Sequence, residues 1–300
     1  MSNTERSLMK GNEALAEAAM RAGCKCFFGY PITPQTEISA YLAKKFAKNG
    51  GLFLQAESEI AAINMVLGAA STGIRVMTSS SSPGISLKQE GISYMSGAQL
   101  PAVIVNMMRG GPGLGNIAGA QGDYFQATRG GGNGDYHVLV IAPGTVQELA
   151  DYTVKAFELA DKYRIVVMIL GDGYLGQMSE PLVFPKAVEK LPGKDWALTG
   201  AKGRDPHIIA SLRLNPDNYL EQHVYNLMKI YGEIEENEVI YDTQYMDDAD
   251  FMIVSYGTCS RICKKAIRAL RAEGIKVGLF RPITLWPFPK KEIAEYAKKV

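Results

Sequence analysis

Groups that bind soft metals or titrate near neutrality are scarce in this sequence. Three histidines, His137, His207 and His223, are scattered, and four cysteines form one C-x-C pair (Cys24, Cys26) and one C-x3-C pair (Cys259, Cys263). Neither spacing matches the thiolate pattern of a ferredoxin-type cluster, and a site shared between the pairs would have no second ligand set to support it. The thiols therefore read as reduced and structural, and no metal ligand is expected on this chain. Long apolar runs are missing too: the longest are strand-length or broken by glycine and polar residues, which excludes a membrane-spanning segment. With a formal net charge of +1 and no basic tract interleaved with aromatics, there is no electrostatic footprint for nucleic acid or an anionic membrane. The N-terminus, MSNTERSLMK, lacks the charged-then-apolar pattern of a secretory signal, so the cytoplasm is the expected compartment. Without Gly-Lys-Ser/Thr there is no P-loop. The run Gly113-x-Gly115 has Ala118 in the third slot and no acidic partner downstream, so it is a weak dinucleotide fingerprint at best.

What is present suits a sizeable core: 47% hydrophobic and 21% charged residues, enough for one large domain or two smaller ones. Gly11 to Gly23 reads as an Ala-rich helix closed by a glycine, and Cys26 to Gly29 as a short strand. A turn stiffened by Pro31 and Pro34 leads into a helix from Gln35 to Asn49. Further strands are expected at Leu52 to Gln55, Ile74 to Thr78, Pro101 to Met108, Val138 to Ala142 and Ile165 to Leu170, with helices at Ile60 to Ala70, Ile85 to Ser96 and Thr145 to Tyr163 between them. Such alternation predicts an α/β fold, a doubly wound and mostly parallel sheet over residues 1–185. From 186 to 250 the character changes to Lys-, Pro- and Asp-containing segments with a charged helix from Asp217 to Glu236, expected as a surface excursion or linker. Phe251 to Tyr256, Ser260 to Glu273 and Lys276 to Phe280 then form a βαβ unit, the start of a second, smaller α/β domain over 251–300. The chain stops inside a helix, Lys290 to Val300, so this domain is expected to be truncated.

The sharpest chemical signal is the stretch LQAESEIAAINMVLGAA, residues 54–70, which places Glu57 and Glu59 between an apolar strand and an apolar helix. Ser58 is the natural N-cap, and an acid in the first turn is favoured by the helix dipole, so Glu59 has a purely local explanation as a helix cap. The competing explanation is functional: the helix behind it has only Asn64 as a polar residue, so the carboxylate stands at the edge of a dry interior, where its protonation is tunable. Thr33, between a strand end and a helix start, lies where open α/β sheets bind ligands, and is equally an N-cap candidate. Ser79 to Ser82 either line a polar cleft or form a solvated turn. Arg109, at a strand end beside Gly110-Gly111-Pro112-Gly113, suits bidentate capture of a carboxylate or phosphate, with a structural salt bridge as the alternative. The glycine-rich passage through Arg129 to Gly134 is long enough to suggest a functional loop.

Taken together, GNEALAEAAMRAGC, GYPITPQTE, QAESEIAAINMVLGAA, MTSSSSPGISLKQEGISY, MRGGPGLGN, LGDGYLGQM, SYGTCSR and RPITLWPFP, in this order, resemble the 2-oxoacid:ferredoxin oxidoreductase subunit that carries the pyrimidine-binding domain of a thiamine diphosphate site. Its second domain resembles the transketolase C-terminal domain. RGGPGLGN and TRGGGNGDYH look most similar to the branched-chain (2-oxoisovalerate) enzymes, with the 2-oxoglutarate branch next. The resemblance implies that Glu59 hydrogen-bonds the aminopyrimidine N1′, that Thr33 lies near the substrate's carboxylate and ketone, that Arg109 orients the 2-oxoacid, and that Tyr30, Pro31 and Ile32 shape the cofactor wall. Gly171-Asp172-Gly173 resembles the opening of a diphosphate and magnesium motif, but WALTGAKGR (196–204) lacks the Asn that would complete it. Diphosphate and Mg²⁺ are therefore expected on a partner subunit, and iron–sulfur clusters on a ferredoxin-like subunit, with a further small subunit, ferredoxin as acceptor and coenzyme A as co-substrate. A non-catalytic assembly subunit, and a transketolase-like or dehydrogenase component without ferredoxin chemistry, are the other readings.

Overall fold

Three strands that read as continuous apolar runs, CFFG, AVIVNMM and VVMILGD, are buried along their whole length, as strands covered on both faces must be. The computed structural model of the chain describes residues 6–213 and 219–300. Its first half alternates β1 (Ser7–Lys10), α1 (Gly11–Arg21), β2 (Cys26–Gly29), α2 (Thr36–Asn49), β3 (Leu52–Gln55), α3 (Glu59–Ser71), β4 (Val76–Ser80), α4 (Ser82–Gly97) and β5 (Ala102–Met108). After the glycine-rich passage come α5 (Tyr124–Thr128), β6 (Leu139–Ile141), α6 (Val146–Tyr163), β7 (Val166–Asp172), α7 (Gly173–Gln177) and β8 (Ser179–Leu182). The last elements are α8 (Tyr219–Asn237), β9 (Tyr241–Gln244), β10 (Phe251–Val254), α9 (Gly257–Ala272), β11 (Val277–Pro282), β12 (Thr284–Trp286) and α10 (Lys290–Ala297).

The main sheet has the order β12-β6-β7-β5-β4-β2-β3, parallel throughout except for the β12–β6 edge pair. The chain leaves β2 outward to β3 and then returns to lay β4 on the other side of β2. Connections therefore diverge above the carboxyl ends of β2 and β4, the topological switch point where doubly wound sheets open a crevice. A two-stranded ribbon, β1-β8, and a three-stranded sheet, β10-β11-β9, complete the strand pairings among the described residues. In the latter, β10 and β11 run parallel around α9, the expected βαβ unit. Among the described residues no helix is long and apolar enough to cross a membrane.

Several expectations change on contact with the structure. The apolar strand expected at Leu52 to Gln55 is not covered on both faces: β3 is the sheet's edge, with Leu52 50% and Leu54 38% exposed. Nor is α3 wholly interior: Ile60, Asn64 and Gly68, one turn apart, all face outward, so its composition hides a half-exposed apolar face. The expected excursion contributes real structure. Of the charged helix, whose expected start at Asp217 lies outside the described residues, α8 buries Leu227, Tyr231 and Ile234 in the main core, and β9 joins the second sheet. Tyr231 meets His137 and Trp286 edge-on, and those two stack at 4.5 Å, which clamps α8 onto the β12 edge of the main sheet.

Candidate functional site

Five segments converge on the crevice above β2, β4 and β5. Ser58 caps α3 by accepting from the Ala61 N–H at 3.2 Å, which turns the first-turn residue Glu59 inward, where it is 6% exposed. The cap is thus Ser58, and among the described residues no donor is hydrogen-bonded to Glu59's own carboxylate oxygens. A nearly buried carboxylate with no protein partner is costly unless something else meets it. What faces it is a bare Cα: a Cβ on Gly84 would stand 2.7 Å from Glu59 Oε1 and collide with Ser80 Oγ. Gly84 is in the first turn of α4, so the start of that helix can approach the acid only because the side chain is missing.

The turn after β2 is pinned from both sides. Gln35 donates to the Tyr30 carbonyl at 3.3 Å and accepts from Ser79 Oγ at 2.5 Å, while Asn12 donates to the Pro34 carbonyl at 2.8 Å. Gln35, not Thr33, occupies the N-cap position of α2, which disposes of the capping explanation for Thr33. Tyr30, Pro31 and Thr33 are exposed at the crevice and Ile32 is half-buried. Arg109 is buried and donates from Nη1 to the Thr33 carbonyl at 3.2 Å. Its Nε has no partner, and among the described residues it makes no ion pair, so the structural salt bridge is not the reason for this arginine.

Ser82 ties these segments together. Its backbone N–H donates to Asn106 Oδ1 at 3.1 Å, its hydroxyl donates to Asp123 at 2.6 Å, and the Arg109 N–H donates to that same hydroxyl at 3.0 Å. Ser79 to Ser82 are all buried, so they line a cleft and are not a solvated turn. The hydroxyls of Thr78, Ser80 and Ser81 are left without protein partners. The structure therefore joins Thr33 and Arg109 directly, and links Glu59 to them through Ser80, Gly84 and Ser82. The unpaired carboxylate, three buried hydroxyls and a buried guanidinium N–H, none with a protein partner among the described residues, are carried by these converging segments, and such a donor set suits a flat, nitrogen-rich ring and a carboxylate substrate.

Gln35, Gly84, Lys88 and Asn106 were not singled out by sequence, although Gly84 and Lys88 stand four apart on an otherwise apolar helix face. The Gly110–Asn116 loop folds back on itself, with Gly115 at φ +55° packed on the Gly110 carbonyl, and no helix follows where a dinucleotide fold needs one. Asp172 ends β7 and caps α7: one oxygen accepts from the Tyr174 and Leu175 N–H groups at 2.9 and 3.0 Å and the other from Thr258 Oγ1. Both oxygens are thus occupied within the chain. The Cys24 thiol is pushed up to about 12 by burial, which keeps it protonated and inert.

A doubly wound sheet with an unpaired acid at its switch point defines a cofactor-binding α/β protein. The chain belongs to the pyruvate flavodoxin/ferredoxin oxidoreductase, thiamine diphosphate-binding family, whose model matches residues 17–249; the pyruvate:ferredoxin oxidoreductase core domain II model matches 249–300. It is 55% identical to the ketoisovalerate oxidoreductase subunit VorB of Methanothermobacter thermautotrophicus, over 97% of this chain and 82% of the relative. It is 38% identical to the 2-oxoglutarate synthase subunit KorA of Methanocaldococcus jannaschii, over 97% of this chain and 86% of the relative. Among solved structures, 2-oxoglutarate:ferredoxin oxidoreductase from Magnetococcus marinus, with 2-oxoglutarate, coenzyme A and succinyl-CoA bound, superposes with a TM-score of 0.89 at 28% identity. That match covers 98% of this chain, which spans 56% of the other. The chain is accordingly a subunit of a multi-subunit oxidoreductase.

Proposed function

We propose that this chain supplies the pyrimidine-binding half of a thiamine diphosphate site in a cytoplasmic 2-oxoisovalerate:ferredoxin oxidoreductase. The observation that carries this reading is the buried Glu59 carboxylate, which faces Gly84 with both oxygens uncommitted. In this site Glu59 hydrogen-bonds the aminopyrimidine N1′ and shares its proton in a low-dielectric pocket, where such sharing is strongest. When bound, the cofactor supplies the carbon nucleophile that attacks the substrate's ketone. Arg109 turns its free Nε–H toward the 2-oxoacid carboxylate, Thr33 offers its hydroxyl beside the ketone, and Tyr30, Pro31 and Ile32 wall the ring. Overall, 2-oxoacid, coenzyme A and two oxidised ferredoxins give acyl-CoA, CO₂, two reduced ferredoxins and a proton. The engaged oxygens of Asp172 support holding diphosphate and Mg²⁺ on a partner subunit, with iron–sulfur clusters on a ferredoxin-like subunit and a further small subunit completing the assembly.

The branched-chain assignment follows the 55% identity to VorB, against 38% to KorA, which makes 2-oxoglutarate the second reading. Comparing kcat/KM for 2-oxoisovalerate, 2-oxoglutarate and pyruvate in the purified complex, with ferredoxin as acceptor, tests it: 2-oxoisovalerate should lead, and preference for 2-oxoglutarate would replace the assignment. Replacing Arg109 by Met should raise KM for the 2-oxoacid by about tenfold or more, the scale of a lost charge-assisted hydrogen bond. An unchanged KM would remove Arg109 from substrate binding.

A further inference from the structure

α4 presents Gly84, Lys88 and Gly91, at i, i+4 and i+7, to the first turns of α3. A Cβ on Gly84 would stand 2.7 Å from Glu59 Oε1, and one on Gly91 would stand 2.6 Å from the Ile63 side chain. Between these two close approaches lies Lys88, with no exposed surface, its Nζ 3.5 Å from the Glu59 carbonyl oxygen. Leucine or methionine would fill such a seam without stranding an ammonium away from water. The position is doubly unfavourable, because the first turn of a helix repels cations. Among the described residues no carboxylate lies within 4 Å of Lys88, and Glu59 is the charge that acts on it; burial pulls the ammonium down to about 8 while Glu59 holds it up. Lys88 therefore touches Glu59 through the backbone and faces it through charge, leaving both carboxylate oxygens free.

We propose that Lys88 is the positioning residue for Glu59: a buried cation on α4 that clamps the turn carrying the acid and so holds its free carboxylate in place for the cofactor ring. The proposal rests on the pyrimidine-binding role of Glu59.

The test uses the assembled complex, freed of cofactor, with thiamine diphosphate and Mg²⁺ binding followed by calorimetry. Lys88→Gln removes the charge and leaves a polar side chain one bond shorter in the same seam. It should weaken binding about tenfold at neutral pH. In a Glu59→Gln background the same change should alter binding less than about twofold, since no carboxylate remains to be positioned. Equal losses in both backgrounds would mean that Lys88 is only structural, and would overturn the proposal. A cofactor-independent readout guards against a Lys88→Gln complex that binds poorly for other reasons. The unfolded chain keeps the lysine proton up to about pH 10.5, whereas the folded chain gives it up near pH 8. The wild-type unfolding midpoint should therefore gain on that of Lys88→Gln between those values, and parallel curves would also reject the proposal. If Glu59→Gln alone leaves decarboxylation intact, it is the pyrimidine-binding reading of Glu59 that fails.

Discussion

Glu59→Gln should lower 2-oxoacid decarboxylation by the assembled complex by about 10²–10⁴-fold, the range associated with loss of a positioned acid–base group. Glutamine has the same shape, and the Ser58 cap that sets the start of α3 does not involve the replaced carboxylate. The unfolding midpoint should accordingly change little beside the loss in turnover. The contrast distinguishes the two explanations for an acid at this position. If Glu59 were needed only to favour the helix dipole, its neutralisation would cost about 0.3–1 kcal/mol of stability and leave turnover untouched. Single-turnover measurement of CO₂ release, paired with thermal unfolding of the same preparation, reads both effects. Wild-type turnover in the variant would remove Glu59 from the chemistry.

Gly84→Ala is expected to be nearly as damaging, although it adds one methyl group to a residue with no functional atoms. That methyl would sit 2.7 Å from Glu59 Oε1 and inside contact distance of Ser80 Oγ, so either the carboxylate turns away or α4 retreats. A misplacement on the order of 1 Å at a reacting group costs about 10²-fold in rate. Secondary structure should survive, because alanine is the better helix former at this position. Thiamine diphosphate affinity should fall together with turnover, since the displaced acid is itself the ring's partner. Loss of the fold without a selective loss of cofactor binding would show that the contact is about packing alone.

The strands at 26–29, 52–55 and 102–108 were readable from the chain because apolar residues there are continuous and bounded by turn formers, and the observed limits differ by at most one residue. What escaped were elements whose identity is tertiary. β1 and β8 are four-residue strands that exist only because they pair with each other, and SEPL in β8 carries a proline that argues against a strand. β12 is three residues long and finds its partner more than 140 positions earlier. The site divides in the same way. Glu59 was visible because a charge between a strand and an apolar helix demands a reason. Gly84 and Lys88 look like an ordinary helix start and an ordinary lysine until α3 and α4 are laid together. Asn106, in a strand that reads as hydrophobic, becomes meaningful only when Ser82 is found within hydrogen-bond reach.

Because Thr284 and Trp286 pair with Ile141 and Val140, the polypeptide beyond residue 250 does not hang from the front half as a detachable module. Cutting there would strip β6 of its edge neighbour β12 and take away the indole that stacks on His137. Grafting a tail from a related enzyme therefore means matching that seam as well as the join.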